Sequence, residues 1–325
     1  METRPLPHTD LVVSRACFGT MTFGAQVDEA SAASIVDACL DAGINFFDTA
    51  NVYNAGESEA ILGRLIKGRR DRIVLASKVR GKMGDGADQQ GLGRAAILRA
   101  IDDSLRRLQT DYLDLYYLHQ PDYGVPVEET LEAMDRIVRA GKVRYPATSN
   151  YAAWQVVQLL SICEKHGYRP PFVSQPMYNL LARGMEQEYV PMCKEFGVST
   201  VVYNPLAGGL LTGKQNREQP EAGTRFANPQ TSRMYMDRYW HAAYFDAVER
   251  LREAATEAGR SLVSVALNWL LHHTKTDCII LGASKLEQLK HNLKALDDGP
   301  LPAETLGACD QAWEGLRGVT PKYNR

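Results

Sequence analysis

The chain has 325 residues, 45% hydrophobic and 23% charged, with 37 basic and 39 acidic side chains and a formal net charge of -2. This is an ordinary globular composition with material for a large core. It carries no basic stripe for nucleic acid and no polybasic block for a membrane surface. The opening "METRPLPHTDLVV" has no charged flank leading into a long apolar run, and no later segment approaches the eighteen or so uninterrupted apolar residues of a membrane span. The expectation is a cytoplasmic protein that touches neither membrane nor nucleic acid. Cys17, Cys39, Cys163, Cys193, Cys278 and Cys309 form no C-x-x-C pair and have no close histidine of the zinc-finger kind. They read as reduced structural thiols, and no metal is expected.

Along the chain, Leu6–Val13 reads as a hairpin ahead of a first strand, Ala16–Gly19. A helix over Asp28–Ala42 and a strand over Phe46–Asp48 follow, then a helix at Ser58–Lys67 and a strand at Ile73–Ser77. The alternation continues with a helix at Gly93–Leu108, a strand at Leu113–Leu118, a helix at Val127–Ala140 and a strand at Val143–Ser149. Next come a helix at Ala152–His166, a strand at Phe172–Pro176, a helix at Glu186–Phe196 and a strand at Thr200–Tyr203. Thr212–Trp240 is long, irregular and rich in Gly, Pro, Asn and Gln, with Arg225, Arg233 and Arg238 inside it; such a loop is more often functional than idle. Helices at Tyr244–Ala258 and Ser261–His272, a strand at Cys278–Leu281 and a last helix at Pro302–Leu316 complete the pattern. Asp28 and Ser261 are candidate N-caps, and glycine closes the runs "DAG", "RAG" and "EAG". Strands alternating with helices at this spacing imply parallel strands with helices outside. Eight such strands predict a (β/α)8 TIM barrel, one domain over residues 1–325, with an N-terminal β-hairpin plugging the barrel's bottom and extra C-terminal helices.

In such a barrel the reactive groups project from the C-terminal strand ends. The unusual residues fall there: Asp48 ends the second strand, Tyr53 sits in the loop behind it, Lys78 follows the third and His119 the fourth. Each has an ordinary explanation singly, as a cap, a rim aromatic, a strand-end charge or a satisfied histidine. Their concentration at consecutive strand ends is what argues for chemistry. Phenol, ammonium, carboxylate and imidazole suit protonation of a carbonyl oxygen as hydride reaches its carbon. A tyrosine with a pKa of about 10 is a poor acid at neutral pH. An ammonium about 4 Å away is worth roughly 4 kcal/mol at an effective dielectric near 20, so Lys78 is expected to lower the Tyr53 pKa by a unit or more. Asp48 would hold Lys78 and keep it charged, and His119 would orient the substrate oxygen or join the proton relay. The hydride must come from a cofactor, because no side chain donates one.

The usual dinucleotide fingerprint is absent: "GKMGDGADQQ" at 81–90 does not match G-x-G-x-x-G and lacks the strand-turn-helix setting. The loops behind strands seven and eight, "YNPLAGGLLTGK" (203–214) and "ILGASKLEQLKHNL" (280–293), lie where barrels commonly bind phosphate. Gly282 and Ser284 are expected to open a helix there, with Lys214, Arg225, Lys285 and Gln288 adding charge and donors.

"FFDTANVYNAGESE", "LASK", "DYLDLYYLHQPD", "GKVRYPATSNYAAWQ", "YNPLAGGLLTGK" and "ILGASKLEQLKHNL" follow one another in an order and spacing that resemble the aldo-keto reductase superfamily over almost the whole chain. "SNYAAW", "YMDRYW", "EQLKHNL" and the ending "PKYNR" resemble its aflatoxin-aldehyde and succinic-semialdehyde reductase branch. The resemblance implies NADPH as cofactor, no metal, and Asp48, Tyr53, Lys78 and His119 as a catalytic tetrad with Tyr53 the acid. It implies Ser149, Asn150 and Gln175 on the nicotinamide carboxamide and Tyr203 stacked on the ring. Asn204, Leu206, Gly208 and Lys214 would line the pyrophosphate, and Gly282, Ser284, Gln288 and Asn292 the adenosine 2′-phosphate end. Arg238 matches an arginine that holds a substrate carboxylate, and Arg225 could serve cofactor or substrate. Association of two copies, as in that branch, is a further implication. Three departures stand out: Pro146 and Thr148 replace small or β-branched residues before the Ser-Asn pair, Ala283 and Lys285 replace methionine and serine, and "FGTMTFGAQ" looks like the broader bacterial family. A proline removes a ladder N–H, so the strand around Pro146 is expected to be locally altered.

The leading expectation is therefore an NADPH-dependent reductase of aldehydes or reactive ketones. The alternative is an NADPH-binding regulatory subunit resembling potassium-channel β subunits, against which the lack of a long N-terminal inactivating segment argues. A metal-dependent hydrolase would need converging His or carboxylate ligands; His272 and His273 are adjacent and would point apart on a helix.

Overall fold

A computed structural model describes residues 1–229 and 231–319. The chain opens with β1 (Thr3–Pro5) and β2 (Val12–Ser14), an antiparallel hairpin pairing Arg4 with Val13. Then come β3 (Ala16–Gly19), α1 (Glu29–Asp41), β4 (Phe46–Asp48), α2 (Glu57–Leu65), β5 (Val74–Val79), α3 (Arg94–Leu108), β6 (Leu113–Leu118) and α4 (Val127–Arg139). The second half runs β7 (Val143–Ser149), α5 (Ala153–His166), β8 (Val173–Gln175), α6 (Tyr189–Phe196), β9 (Ser199–Val202), α7 (Ser232–Tyr239), α8 (Ala242–Glu257), α9 (Leu262–His273), β10 (Cys278–Leu281), α10 (Leu286–Leu296) and α11 (Ala303–Arg317). Strands β3 to β10 pair in parallel in chain order, and β10 returns to β3, closing an eight-stranded barrel. The fold is the expected (β/α)8 TIM barrel.

The period-2 alternation of a strand sorts side chains between two cores. Cys17, Phe46, Val74, Ala76, Leu115, Tyr117, Ala147, Val173, Val201 and Cys278 fill the barrel, and Leu6, Leu11 and Val13 join them from the hairpin, which is therefore the expected plug. Phe18, Phe47, Leu75, Tyr116, Leu118 and Val202 face outward into the layer packed against the helices. Both strand faces are buried, which is why the strands read as nearly continuous apolar runs. The same alternation carries upward: Asp48 follows Phe46, Lys78 follows Ala76 and His119 follows Tyr117 on the inward side.

Asp28 caps α1 by accepting from the Ser31 N–H at 2.8 Å, and Ser261 caps α9 by accepting from Ser264 at 3.1 Å. Three expectations change. β5 runs on to Val79, so Lys78 lies on the strand rather than behind it; strand pairing with Tyr117 of β6 extends the ladder. β7 is unbroken at Pro146, which keeps its place opposite Tyr116. β7 pairs with β8 only at Thr148 and Ser149, so no ladder bond to β8 is required at Pro146. The long stretch after β9 contains α7, because Tyr235 and Tyr239, one helical turn apart, are both buried against the core. Its polar composition hid that pair. All six cysteines are free and buried.

Candidate active site

Asp48 and Lys78 form a buried ion pair through Oδ1, and Lys78 Nζ also donates to the Thr49 carbonyl at 2.8 Å. The same ammonium donates to the Tyr53 hydroxyl at 3.3 Å. His119 meets the Tyr53 ring edge-on, with centroids 6.0 Å apart and planes at 80°. The structure thus brings Asp48, Tyr53, Lys78 and His119 together. His119 is fixed through its backbone: its N–H donates to Val79 at 3.0 Å and its carbonyl accepts from Asn150 Nδ2 at 2.9 Å.

The electrostatics correct one expectation. Burial pushes the Tyr53 phenol up, Lys78 pulls it down and Asp48 pushes it up again; the phenol ends above its usual value, not below it. Burial of the phenol outweighs the ammonium's attraction, and the negative charge of Asp48 adds to the upward push. Burial draws the Lys78 ammonium down, but Asp48 and Tyr53 together hold it above its ordinary value, so it stays charged. Burial, with Lys78 and Arg80 nearby, lowers the His119 imidazole to about 3 and leaves it neutral.

The residues expected around a nicotinamide converge beside this cluster. Ser149 Oγ donates to the Gln175 carbonyl at 2.9 Å, Asn150 Nδ2 donates to Ser149 Oγ at 3.1 Å, and the Tyr203 hydroxyl donates to Asn150 Oδ1 at 2.7 Å. The Gln175 side chain also does something the sequence did not signal: its amide donates to Asp48 Oδ2 at 2.9 Å. Burial pushes the Tyr203 phenol up, and the positive charge of Arg238, on α7, opposes that push.

Behind β9, Asn204 adopts a left-handed φ of 58° and is buried, and its Nδ2 has no partner among the described residues. A buried amide without an acceptor is costly unless a ligand supplies one. Gly208 has φ 70°, and a Cβ there would meet the Tyr235 ring at 2.5 Å, so glycine is required twice over. Leu206 is half-buried nearby and Lys214 is exposed. Arg225 lies over the strand-eight loop, with Nη2 3.0 Å from where a Gly282 Cβ would sit. The helix there begins at Leu286, not at Gly282, with extended Lys285 as its N-cap. Ser284 donates from its N–H and its hydroxyl to Gln288 Oε1 at 2.9 and 3.1 Å, while Asn292 is buried one turn on. The orphaned Asn204 amide and the Arg225 cation over Gly282 fit a group carrying phosphates. No group of three His, Cys, Asp or Glu able to hold a metal occurs among the described residues, and no described helix is long and apolar enough to cross a membrane.

The aldo/keto reductase family model matches residues 15–314. The chain belongs to the aldo/keto reductase family. Among its relatives, this family member is 38% identical to human aflatoxin B1 aldehyde reductase member 2, over 94% of this chain and 88% of that protein. It is 38% identical to the uncharacterized oxidoreductase YrpG of Bacillus subtilis (strain 168), over 99% of each chain. It is also 36% identical to a probable voltage-gated potassium channel subunit beta of Oryza sativa subsp. japonica, over 93% of each. The similarity to the aflatoxin aldehyde reductases agrees with the branch read from the motifs, while "PKYNR" lies outside the described residues. Two contributions to this aldo/keto reductase site escaped sequence reasoning. Gln175 was assigned to the cofactor alone, and Tyr117, whose ring lies 5.9 Å from Lys78 Nζ, was not singled out; its signal was the inward alternation Leu115, Tyr117, His119.

Proposed function

We propose that this protein reduces aldehydes or reactive ketones to alcohols with NADPH, Tyr53 donating the proton. The hydrogen-bonded chain Asp48–Lys78–Tyr53, with the His119 ring edge-on to Tyr53, is the observation that carries the reading. When bound, the dihydronicotinamide supplies the hydride that no side chain can. Tyr53 holds its proton at the phenol oxygen, and Lys78, kept charged by Asp48, stabilises the oxygen as that proton leaves. Neutral His119 orients the carbonyl oxygen without competing as an acid. Ser149, Asn150 and Gln175 would hold the carboxamide and Tyr203 the ring, with Asn204, Leu206, Gly208 and Lys214 along the pyrophosphate. Gly282, Ser284, Gln288 and Asn292 would take the adenosine end, where Arg225 adds charge for a 2′-phosphate. Arg238 would receive a carboxylate of the substrate. The reading takes residues 1–325 as one domain acting in the cytoplasm, with two copies associating.

Similarity to a potassium-channel β subunit favours a second reading, in which the barrel binds NADPH mainly to regulate a partner. The deciding experiment follows NADPH absorbance against succinic semialdehyde, aromatic aldehydes, dicarbonyls and sugar or steroid ketones, with NADH as control. Turnover of at least one class is expected. Cofactor binding with no turnover of any carbonyl would replace reduction by the regulatory reading.

A further inference from the structure

The turn that carries Tyr53 is strained. Asn54 (φ 49°, ψ 45°) and Ala55 (φ 54°, ψ 33°) both occupy the left-handed region, and Gly56 follows at φ 94°. Two consecutive non-glycine residues in that region persist only where their surroundings hold them. Ala55 has no side chain able to do so. Asn54 does: its Nδ2 donates to the Met21 carbonyl at 3.0 Å and to the Phe23 carbonyl at 2.7 Å. Both acceptors are backbone oxygens, and both amide hydrogens are used.

The loop that receives them, residues 20–27, is itself tied down. The Phe23 N–H donates to Thr20 at 2.9 Å, and Gly24 donates to Val27 at 2.9 Å. Buried Phe23 stacks obliquely on Phe18 of β3 at 5.9 Å. The Ser58 hydroxyl, on α2, donates to the Thr20 carbonyl at 2.7 Å, and Thr22 Oγ1 reaches the Ala283 carbonyl at 3.2 Å. The loop is thus tied to β3, to α2 and to the strand-eight loop.

We propose that Asn54 is the positioning residue of the proton donor. Its amide clamps the left-handed turn to the loop after β3 and so holds the Tyr53 hydroxyl on the Lys78 ammonium. This rests on the reductase reading above. Both amide hydrogens of Asn54 go to Met21 and Phe23 and neither to Lys78, so the residue acts through Tyr53.

Asn54→Gly separates the two things Asn54 can contribute. Glycine accepts the left-handed backbone at no steric cost but offers no amide. With a carbonyl that the wild type reduces, Asn54→Gly and Asn54→Ala should each lower kcat tenfold or more, leave the KM for NADPH within twofold, and displace the alkaline limb of the kcat–pH profile. Hydrogen exchange of the cofactor-free protein should show faster exchange at residues 20–27 and 52–57 in Asn54→Gly, with the barrel strands unchanged. Wild-type kcat in Asn54→Gly would overturn the inference, since backbone conformation alone would then suffice. So would unchanged exchange, or a parallel loss of NADPH binding and thermal stability, which would mark a general structural role. Failure of the wild type to reduce any carbonyl is a different result and removes the reductase reading instead.

Discussion

Gln175 donates its side-chain amide to Asp48 Oδ2 at 2.9 Å across the top of the barrel, from 127 residues away in sequence. Lys78 holds the other oxygen, so the buried carboxylate is satisfied on both sides and its plane is set. One side chain therefore joins the tetrad to the residues expected around the nicotinamide. Any change at Gln175 should be felt at both.

The Tyr53 phenol sits above its usual value, and it therefore keeps its proton throughout the neutral range. His119, lowered to about 3, changes charge only in strong acid. The rate of carbonyl reduction should be level between about pH 6 and about pH 8 and fall only as the pH rises through the Tyr53 value. Tyr53→Phe should lower kcat by roughly 10²- to 10⁴-fold, the usual contribution of a positioned acid, with NADPH binding retained. Fluorescence titration of NADPH and a kcat–pH profile check both. An inflection near the ordinary histidine value would contradict the assignment of His119 as neutral.

Asp48→Asn leaves the Lys78 ammonium buried without its carboxylate. Breaking a buried pair in this way costs about 3–5 kcal/mol, which should appear as a lower urea midpoint at unchanged slope. Adding Lys78→Met removes the stranded charge and should restore part of the stability but none of the activity. A double variant no more stable than Asp48→Asn would show that packing, not charge, governs the pair.

Arg225 stands over Gly282 at the entrance of the strand-eight loop. If it serves a 2′-phosphate, Arg225→Ala should raise the KM for NADPH by roughly 10- to 100-fold, the equivalent of losing a hydrogen bond to a charged group. The KM for NADH should move far less. Gly282→Ala should act in the same direction, because the new methyl would crowd the guanidinium. Equal changes for both cofactors would assign Arg225 to the substrate side.

The charge of Arg238, on α7, is felt at the Tyr203 phenol, where it opposes the effect of burial. Arg238→Ala should raise the KM for a carboxylated aldehyde such as succinic semialdehyde tenfold or more while leaving an uncharged aldehyde within twofold. Comparable losses for both would mean that Arg238 acts by holding Tyr203 rather than by receiving a carboxylate.

Much of this site was legible because a barrel strand has a strict period. Once Phe46, Ala76 and Tyr117 are inward, Asp48, Lys78 and His119 must follow them two residues on, at the open end. The strand-seven and strand-eight loops were legible for a related reason: glycines and an amide cluster where β9 and β10 end. The start of α10 was misplaced because Gly282, Ala283 and Ser284 are compatible with a helix, and only the extended backbone at Lys285 delays it. Helix α7 was missed because its core-facing side chains, Tyr235 and Tyr239 with Met236 packed alongside, lie in a polar stretch.

Local periodicity and the order of motifs made legible in the sequence the architecture, the family, and the placing of Asp48, Lys78 and His119 at strand ends with Tyr53 in the loop behind Asp48. The direction of the Tyr53 shift, the Gln175 bond to Asp48 and the clamp from Asn54 to Met21 and Phe23 were decided only by tertiary structure. Each depends on which groups become neighbours and how much water is excluded between them. The Lys78 ammonium still draws the Tyr53 phenol down, but burial and the Asp48 carboxylate, both products of folding, outweigh it.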